Sequence, residues 1–207
     1  MSIRILQVLG GVLLGLVLTA LWFAFAGTPG ARVPPADVDV VGGLAPEPFD
    51  VPLLTGTDAS GEAVTTARWR GKVTAVFFGY TSCPDVCPLT LSRVGRYRAE
   101  LPPEARDRLA VVFVSVDPGR DTPERLAAYT GALPGDVEAM TAEDIRSQVE
   151  GWGVRATDSE PFGDGSYLVD HTARVFVLDS EGRVAGTLPP LPTSDQIRGL
   201  LDTMLDR

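Results

Sequence analysis

Cysteine and histidine are almost missing from this 207-residue chain, which holds only Cys83, Cys87 and His171. Two cysteines are too few for a disulfide-stapled small fold, and a body of about 160 residues buries enough core to do without one. A bridge across so short a loop would also restrain the unfolded chain little. The pair therefore reads as functional. Lysine is reduced to Lys72 among 18 basic residues, and 27 acidic ones set the net charge at −9. No basic cluster occurs in the body, which argues against nucleic acid or anionic lipid headgroups as partners. The acidity itself suits the solubility of an exported domain. Internal repeats and low-complexity blocks are absent. So is the single activated cysteine, in its own motif, that a thiol peroxidase would need.

What is present begins with a long apolar run, Ile5 to Ala26, which carries no charge. At about 1.5 Å per residue it reaches roughly 33 Å, enough to cross a bilayer core. Arg4 precedes it, whereas Arg32 is outnumbered by Asp37, Asp39, Glu47 and Asp50 after it. That asymmetry predicts a cytoplasmic N-terminus and an exported body. Ala24-Phe25-Ala26 has the small-x-small pattern of a signal-peptide cleavage site, but the run exceeds the roughly 7–15 residues usual there. Residues 1–26 are thus expected to be an uncleaved transmembrane anchor, with a signal sequence as the alternative. No cysteine lies near the run, which excludes a lipoprotein anchor. Residues 27–47, rich in Pro and Gly, read as a linker, and 48–207 as one domain. Export matters for Cys83 and Cys87, because an oxidising compartment closes a proximate pair unless a reductant or a metal keeps it open.

Within the body, Phe49 to Thr55 alternates weakly and suggests a strand before the turn Asp58-Ala-Ser-Gly61. Val73–Gly79 and Leu109–Val116 are near-continuous apolar runs of strand length. Between them, Pro88 suits a first helical turn, and Leu89, Leu91, Val94, Tyr97 and Leu101 recur at helical spacing until Pro102-Pro103. Strand, helix and strand in about 45 residues predict a parallel crossover. Further helices are expected after Asp121 or Thr122 as cap, from Thr141 with Asp144 as a loose capping box to Glu150, and over 193–205. Arg174–Leu178 and Arg183–Leu188 read as a hairpin. The fold class is α/β, a mixed sheet flanked by helices.

Cys83 and Cys87 fall where the first apolar strand hands over to its helix. Backbone N–H groups and the helix dipole favour anionic sulfur there, so both thiols are biased toward thiolate. Such a pair can close a disulfide or grip one soft metal ion. Ligands of open α/β sheets collect at the carboxyl ends of parallel strands, where Asp117 also sits. If strand 174–178 runs antiparallel to its neighbours, His171 begins on that same edge and faces the thiols.

Three stretches carry a resemblance: Val76-Phe-Phe-Gly-Tyr-Thr-Ser-Cys-Pro-Asp-Val-Cys-Pro88, Ser115-Val-Asp-Pro-Gly-Arg-Asp-Thr-Pro123 and Tyr167-Leu-Val-Asp-His-Thr172. In this order, over about residues 48–207, the chain resembles the Sco family (SenC, PrrC-like). The resemblance implies a thioredoxin-like fold and copper, Cu(I) or Cu(II), bound by Cys83, Cys87 and His171. It implies a metallochaperone receiving copper from a loading chaperone and delivering it to the dinuclear copper site of cytochrome c oxidase subunit II or another exported cuproprotein. Reduction of that site's cysteines is a second implied role. The location it implies is a single pass in the inner membrane, with the domain on the periplasmic side.

The residue chemistry agrees. Thiolates select Cu(I), and an imidazole completes a trigonal site that also accommodates Cu(II). Zinc would want a fourth ligand. On a helix, residues four apart share a face, within reach of one ion. Asp117 and Asp170 are candidates to orient the histidine or tune the thiols from the outer shell, with turn formation the alternative for Asp117. Asp85 is expected to stabilise the helix start, and Tyr80 and Trp152 to pack. The competing function is a thiol–disulfide oxidoreductase working through Cys83 and Cys87. Against it, the chain has CxxxC rather than CxxC and no proline near His171.

Overall fold

The computed structural model describes residues 42–207. The expected anchor over 1–26, and the linker as far as position 41, lie outside the described residues. Among those described, no helix is long and apolar enough to cross a membrane.

In chain order the strands and helices begin with β1 (Gly43–Phe49), β2 (Thr55–Asp58), β3 (Ala63–Thr65), β4 (Val73–Gly79) and α1 (Val86–Glu100). There follow α2 (Pro103–Asp107), β5 (Leu109–Ser115), α3 (Pro123–Gly131), β6 (Glu138–Thr141) and α4 (Ile145–Glu150). The last third holds β7 (Ala156–Asp158), β8 (Val169–His171), β9 (Val175–Leu178), β10 (Val184–Leu188) and α5 (Ser194–Leu205). Eight strands form one mixed sheet in the order β1-β10-β9-β4-β5-β6-β2-β3, while β7 and β8 pair only with each other.

The centre of the sheet follows from the two apolar runs. β4 and β5 pair in parallel from Val73↔Leu109 to Gly79↔Ser115, and every residue of both is buried. Alternate side chains of a strand point to opposite faces, so burial at all seven positions requires cover on both. Each fully buried Val, Leu or Phe there contributes about 1.5–3 kcal/mol over its exposed state. Trp152 closes one end of this core. Its ring meets Phe78 and Phe176 edge-on at 5.4 and 5.8 Å, and its indole N–H donates to Pro52 O at 2.9 Å. Trp152 and Tyr80 are both buried packing residues, as expected.

β9 pairs antiparallel with β4, Thr74↔Leu178 to Phe77↔Val175, which is the topology that brings the chain before β9 to the carboxyl end of β4. α5 starts on a full capping box, with the Thr193 side chain accepting from Gln196 N–H and Gln196 Oε1 from Thr193 N–H.

Several local expectations are corrected. The stretch anticipated as a strand, Phe49–Thr55, instead separates two: β1 ends at Phe49 and β2 begins at Thr55, and β1 reaches back into the segment read as linker. β1 pairs Gly43 with Thr187 and Leu44 with Gly186, then slips register before Phe49. Pro46 and Pro48 lack N–H donors, so this strand survives only at an edge and with an irregular ladder. Thr141 is the last residue of β6 rather than a helix cap, because its pairing with Thr57 of β2 takes precedence over local capping. The helix starts at Ile145, after Asp144, whose side chain makes no cap bond.

Candidate metal centre

Beyond Gly79 the chain turns, with Cys83 N–H donating to Tyr80 O at 3.2 Å, and α1 begins at Val86. Cys83 therefore lies in the turn and Cys87 in the first turn of α1. The two do not share a helix face, as their spacing suggests; the fold-back of 80–85 brings them together. Asp85 stands at the N-cap position, but its side chain makes no capping bond; its carbonyl accepts from Leu89 N–H.

Glycine at position 79 is required by close approach. A Cβ there would lie 2.9 Å from Cys87 Sγ, 3.0 Å from the Phe113 ring and 3.1 Å from Phe77. Phe113 and Phe77 are locked in the core, so the thiol is the group that must give way. Gly79→Ala is expected to lower stability by about 1–3 kcal/mol through overpacking. It should also weaken Cu(I) binding about tenfold or more. Melting curves and competition titrations check both, and an unchanged Cu(I) affinity would show that the thiol is not displaced.

Both thiols are free and buried, Cys87 completely. Their protonation is unequal. A hydrogen bond from Cys87 holds Cys83 far below the ordinary thiol range against the opposing effect of burial, helped by His171 and by the N–H groups of Asp85 and Cys87. Cys87 is pushed up by its bond to Cys83 and by burial. The expectation that both sulfurs are thiolates is thus corrected: two adjacent anions in a low-dielectric site share one proton instead. Since the lowered group is Cys83, its thiolate persists as pH falls below neutrality. Iodoacetamide at pH 6 should therefore label Cys83 in the reduced protein, and Cys87 only after unfolding. Equal labelling of the two by mass spectrometry would contradict the assignment.

His171 ends β8, where it pairs with Ala156 of β7. Its ring stands edge-on to Phe77 at 6.1 Å and to Tyr80 at 5.8 Å. Nε2 lies 3.5 Å from Cys87 Sγ, and Nδ1 is buried without a hydrogen-bond partner. One donor atom from each of Cys83, Cys87 and His171 lies within 4.8 Å of the others. Three donors at about 2.0–2.3 Å in a trigonal site stand roughly 3.5–4 Å apart, so shifts of up to about 1 Å bring all three onto one ion. An imidazole nitrogen, Nε2, beside soft sulfur donors is what a copper site needs.

The two candidate carboxylates stand in different surroundings. Asp117, 1% exposed, takes Arg120 Nε and the Tyr167 hydroxyl on its two oxygens. Asp170 is exposed. Neither hydrogen-bonds the imidazole. The residue that fastens the cysteine turn is Asp121, which accepts from Thr81 N–H (2.8 Å), the Thr81 hydroxyl and Ser115 Oγ (2.6 Å). Read from sequence as a candidate cap, it yields that role to Thr122, whose Oγ1 accepts from Arg125 N–H. Arg120 and Tyr167 drew no role from the sequence either, although both stand inside the quoted motifs. Arg146 ties the hairpin down as well, donating to Val116 O and to both oxygens of Asp158.

A mixed sheet whose parallel strands deliver a cysteine pair at their carboxyl ends, met there by a histidine, defines a thioredoxin-like protein with a soft three-donor centre. The chain belongs to the SCO1/SenC family, whose profile matches residues 52–206. A Stutzerimonas stutzeri protein whose name describes it as copper-binding is 30% identical over 168 residues, covering 79% of this chain and 80% of that one. Bradyrhizobium japonicum ScoI with copper bound is 32% identical with a TM-score of 0.64, over 79% of this chain and 99% of that chain. Apo Sco1 from Thermus thermophilus is 35% identical with a TM-score of 0.68, over 78% and 95%. With other relatives the match spans less of their length, 45% of yeast mitochondrial SCO2 and 62% of a Rickettsia prowazekii SCO2-like protein.

Proposed function

We propose that this protein is an exported, membrane-tethered copper metallochaperone that holds one copper ion through Cys83, Cys87 and His171. In this reading residues 1–26 anchor it, a linker runs from 27 to the start of β1 at Gly43, and the copper-binding domain follows. Its acceptor is the dinuclear copper site of cytochrome c oxidase subunit II or another exported cuproprotein, and its donor a loading chaperone. The convergence of two sulfurs and an imidazole within 4.8 Å, from positions 84 residues apart, carries the reading. Three protein donors leave room for an incoming ligand, so the cargo can pass to the acceptor before the last bond to the chaperone breaks.

Anaerobic titration of reduced protein with Cu(I) is expected to saturate at one equivalent, and Cu(II) to give a thiolate charge-transfer band. His171→Ala should keep Cu(I) on the two sulfurs with weakened affinity and lose the Cu(II) complex more severely, since the nitrogen donor matters more to the harder ion. Unchanged stoichiometry and affinity in His171→Ala would remove the imidazole from the site.

A second reading, thiol–disulfide exchange, is favoured by the unequal thiols. Cys83 thiolate would attack a substrate disulfide and release one substrate thiolate. Cys87, after giving up its proton, would then attack Cys83 and release the second, leaving the pair oxidised and the substrate reduced by two electrons. Turnover in a disulfide-reduction assay at rates unaffected by His171→Ala would promote this reading over the first.

A further inference from the structure

The candidate centre is assembled from two parts. Its sulfurs ride on the turn after β4 and on the first turn of α1, within the main body, while its imidazole rides on the β7–β8 hairpin. No backbone ladder joins that hairpin to the eight-stranded sheet. Side chains therefore fix His171 relative to the sulfurs. The forked Arg146–Asp158 pair, 34% and 44% exposed, holds β7, the strand of the hairpin that does not carry His171. A tighter set of contacts lies next to His171. The Arg120 guanidinium lies over the Tyr167 ring, 3.6 Å from its centre, and donates through Nη1 to Tyr167 O at 2.9 Å. Its Nε pairs with Asp117, whose other oxygen accepts from the Tyr167 hydroxyl at 2.9 Å. Asp117 is itself held to the end of β5, its N–H donating to Ser115 Oγ. Arg120, Asp117 and Tyr167 thus form a closed ring joining the sheet to the chain four residues before His171.

We propose that Arg120 is the positioning residue for His171, its stacked and forked guanidinium latching the hairpin so that the imidazole stays over the cysteine pair. The proposal rests on the copper reading only for what the latch is for; the latch stands on these contacts alone. A planar guanidinium can stack on the ring while bonding a carboxylate and a carbonyl at once, and an ammonium cannot. Opening the ring would free the nitrogen donor without disturbing the sulfurs.

The test compares wild type with Arg120→Lys, Arg120→Gln and the double variant Arg120→Gln/Asp117→Asn, which also removes the buried carboxylate that a lone Arg120 replacement strands. In reduced, metal-free protein, amide hydrogen exchange over 156–171 is expected to quicken about tenfold or more in all three, while β4 and β5 keep wild-type protection. With Cu(II) bound, the nitrogen hyperfine coupling in electron paramagnetic resonance should weaken in the variants, and Cu(I) affinity should change by less than about threefold. Wild-type exchange in the double variant would overturn the latch. Wild-type exchange and coupling in Arg120→Lys would also overturn it, making charge rather than the stacked fork the agent. A wild-type protein lacking nitrogen coupling would count against the copper reading alone, and the exchange data would then decide the latch by themselves.

Discussion

A Cys83→Ser/Cys87→Ser protein is expected to lose Cu(I) binding by more than about 1,000-fold, or roughly 4 kcal/mol, while remaining folded. The sulfurs supply both soft donors, and the imidazole left behind cannot hold a monovalent ion against a competing chelator by itself. The substitution is nearly isosteric, so packing against Gly79 and Phe113 is preserved. Its structural cost is the buried hydroxyls at positions 83 and 87, about 1–3 kcal/mol for each that finds no partner. Competition titration, with a melting curve as control, checks both halves. Retained tight binding in a folded double variant would place the copper elsewhere and end the chaperone reading.

Asp121→Ala is expected to be the most destabilising single change near the site. The carboxylate is 1% exposed and accepts from Thr81 N–H, the Thr81 hydroxyl and Ser115 Oγ. Hydrogen bonds to a charged group contribute about 1.5–3 kcal/mol each, though not additively, and removal leaves the half-buried Thr81 N–H without its acceptor. A loss of about 3–5 kcal/mol follows, or roughly 6–20 °C in melting temperature for a domain of this size. Arg125 reinforces the anchor from outside, donating to Thr81 Oγ1 at 2.7 Å and Ser82 Oγ at 2.9 Å. Because Thr81 and Ser82 lead straight into Cys83, Cu(I) affinity should fall with stability. A variant melting within about 1 °C of wild type would show that the turn is held by something else.

The parts of this protein legible in its sequence are those where the local pattern and the tertiary environment demand the same thing. Apart from Thr74 and Ser115, Val73–Gly79 and Leu109–Ser115 carry no polar side chain on either face, which suits a doubly covered strand. Thr193 with Gln196 is a cap that works within four residues. Where two demands compete, local reading fails. Thr141 has capping chemistry but pairs with β2, and Asp121 has capping chemistry but is drawn inward by Thr81 and Ser115. The β7–β8 hairpin escaped notice because three-residue strands are too short to show a period.

The sequence by itself determined which atoms are available: two sulfurs at the end of a buried parallel strand and a single imidazole far along the chain. It also determined, through three motifs in order, the family. Only the tertiary structure decided that these atoms meet, because antiparallel pairing of β9 with β4 is a long-range event that no local propensity encodes. Folding likewise decided that one thiol keeps its proton while the other gives it up. Charge at a site depends on burial and on the nearest neighbour, and both exist only once the chain has closed on itself.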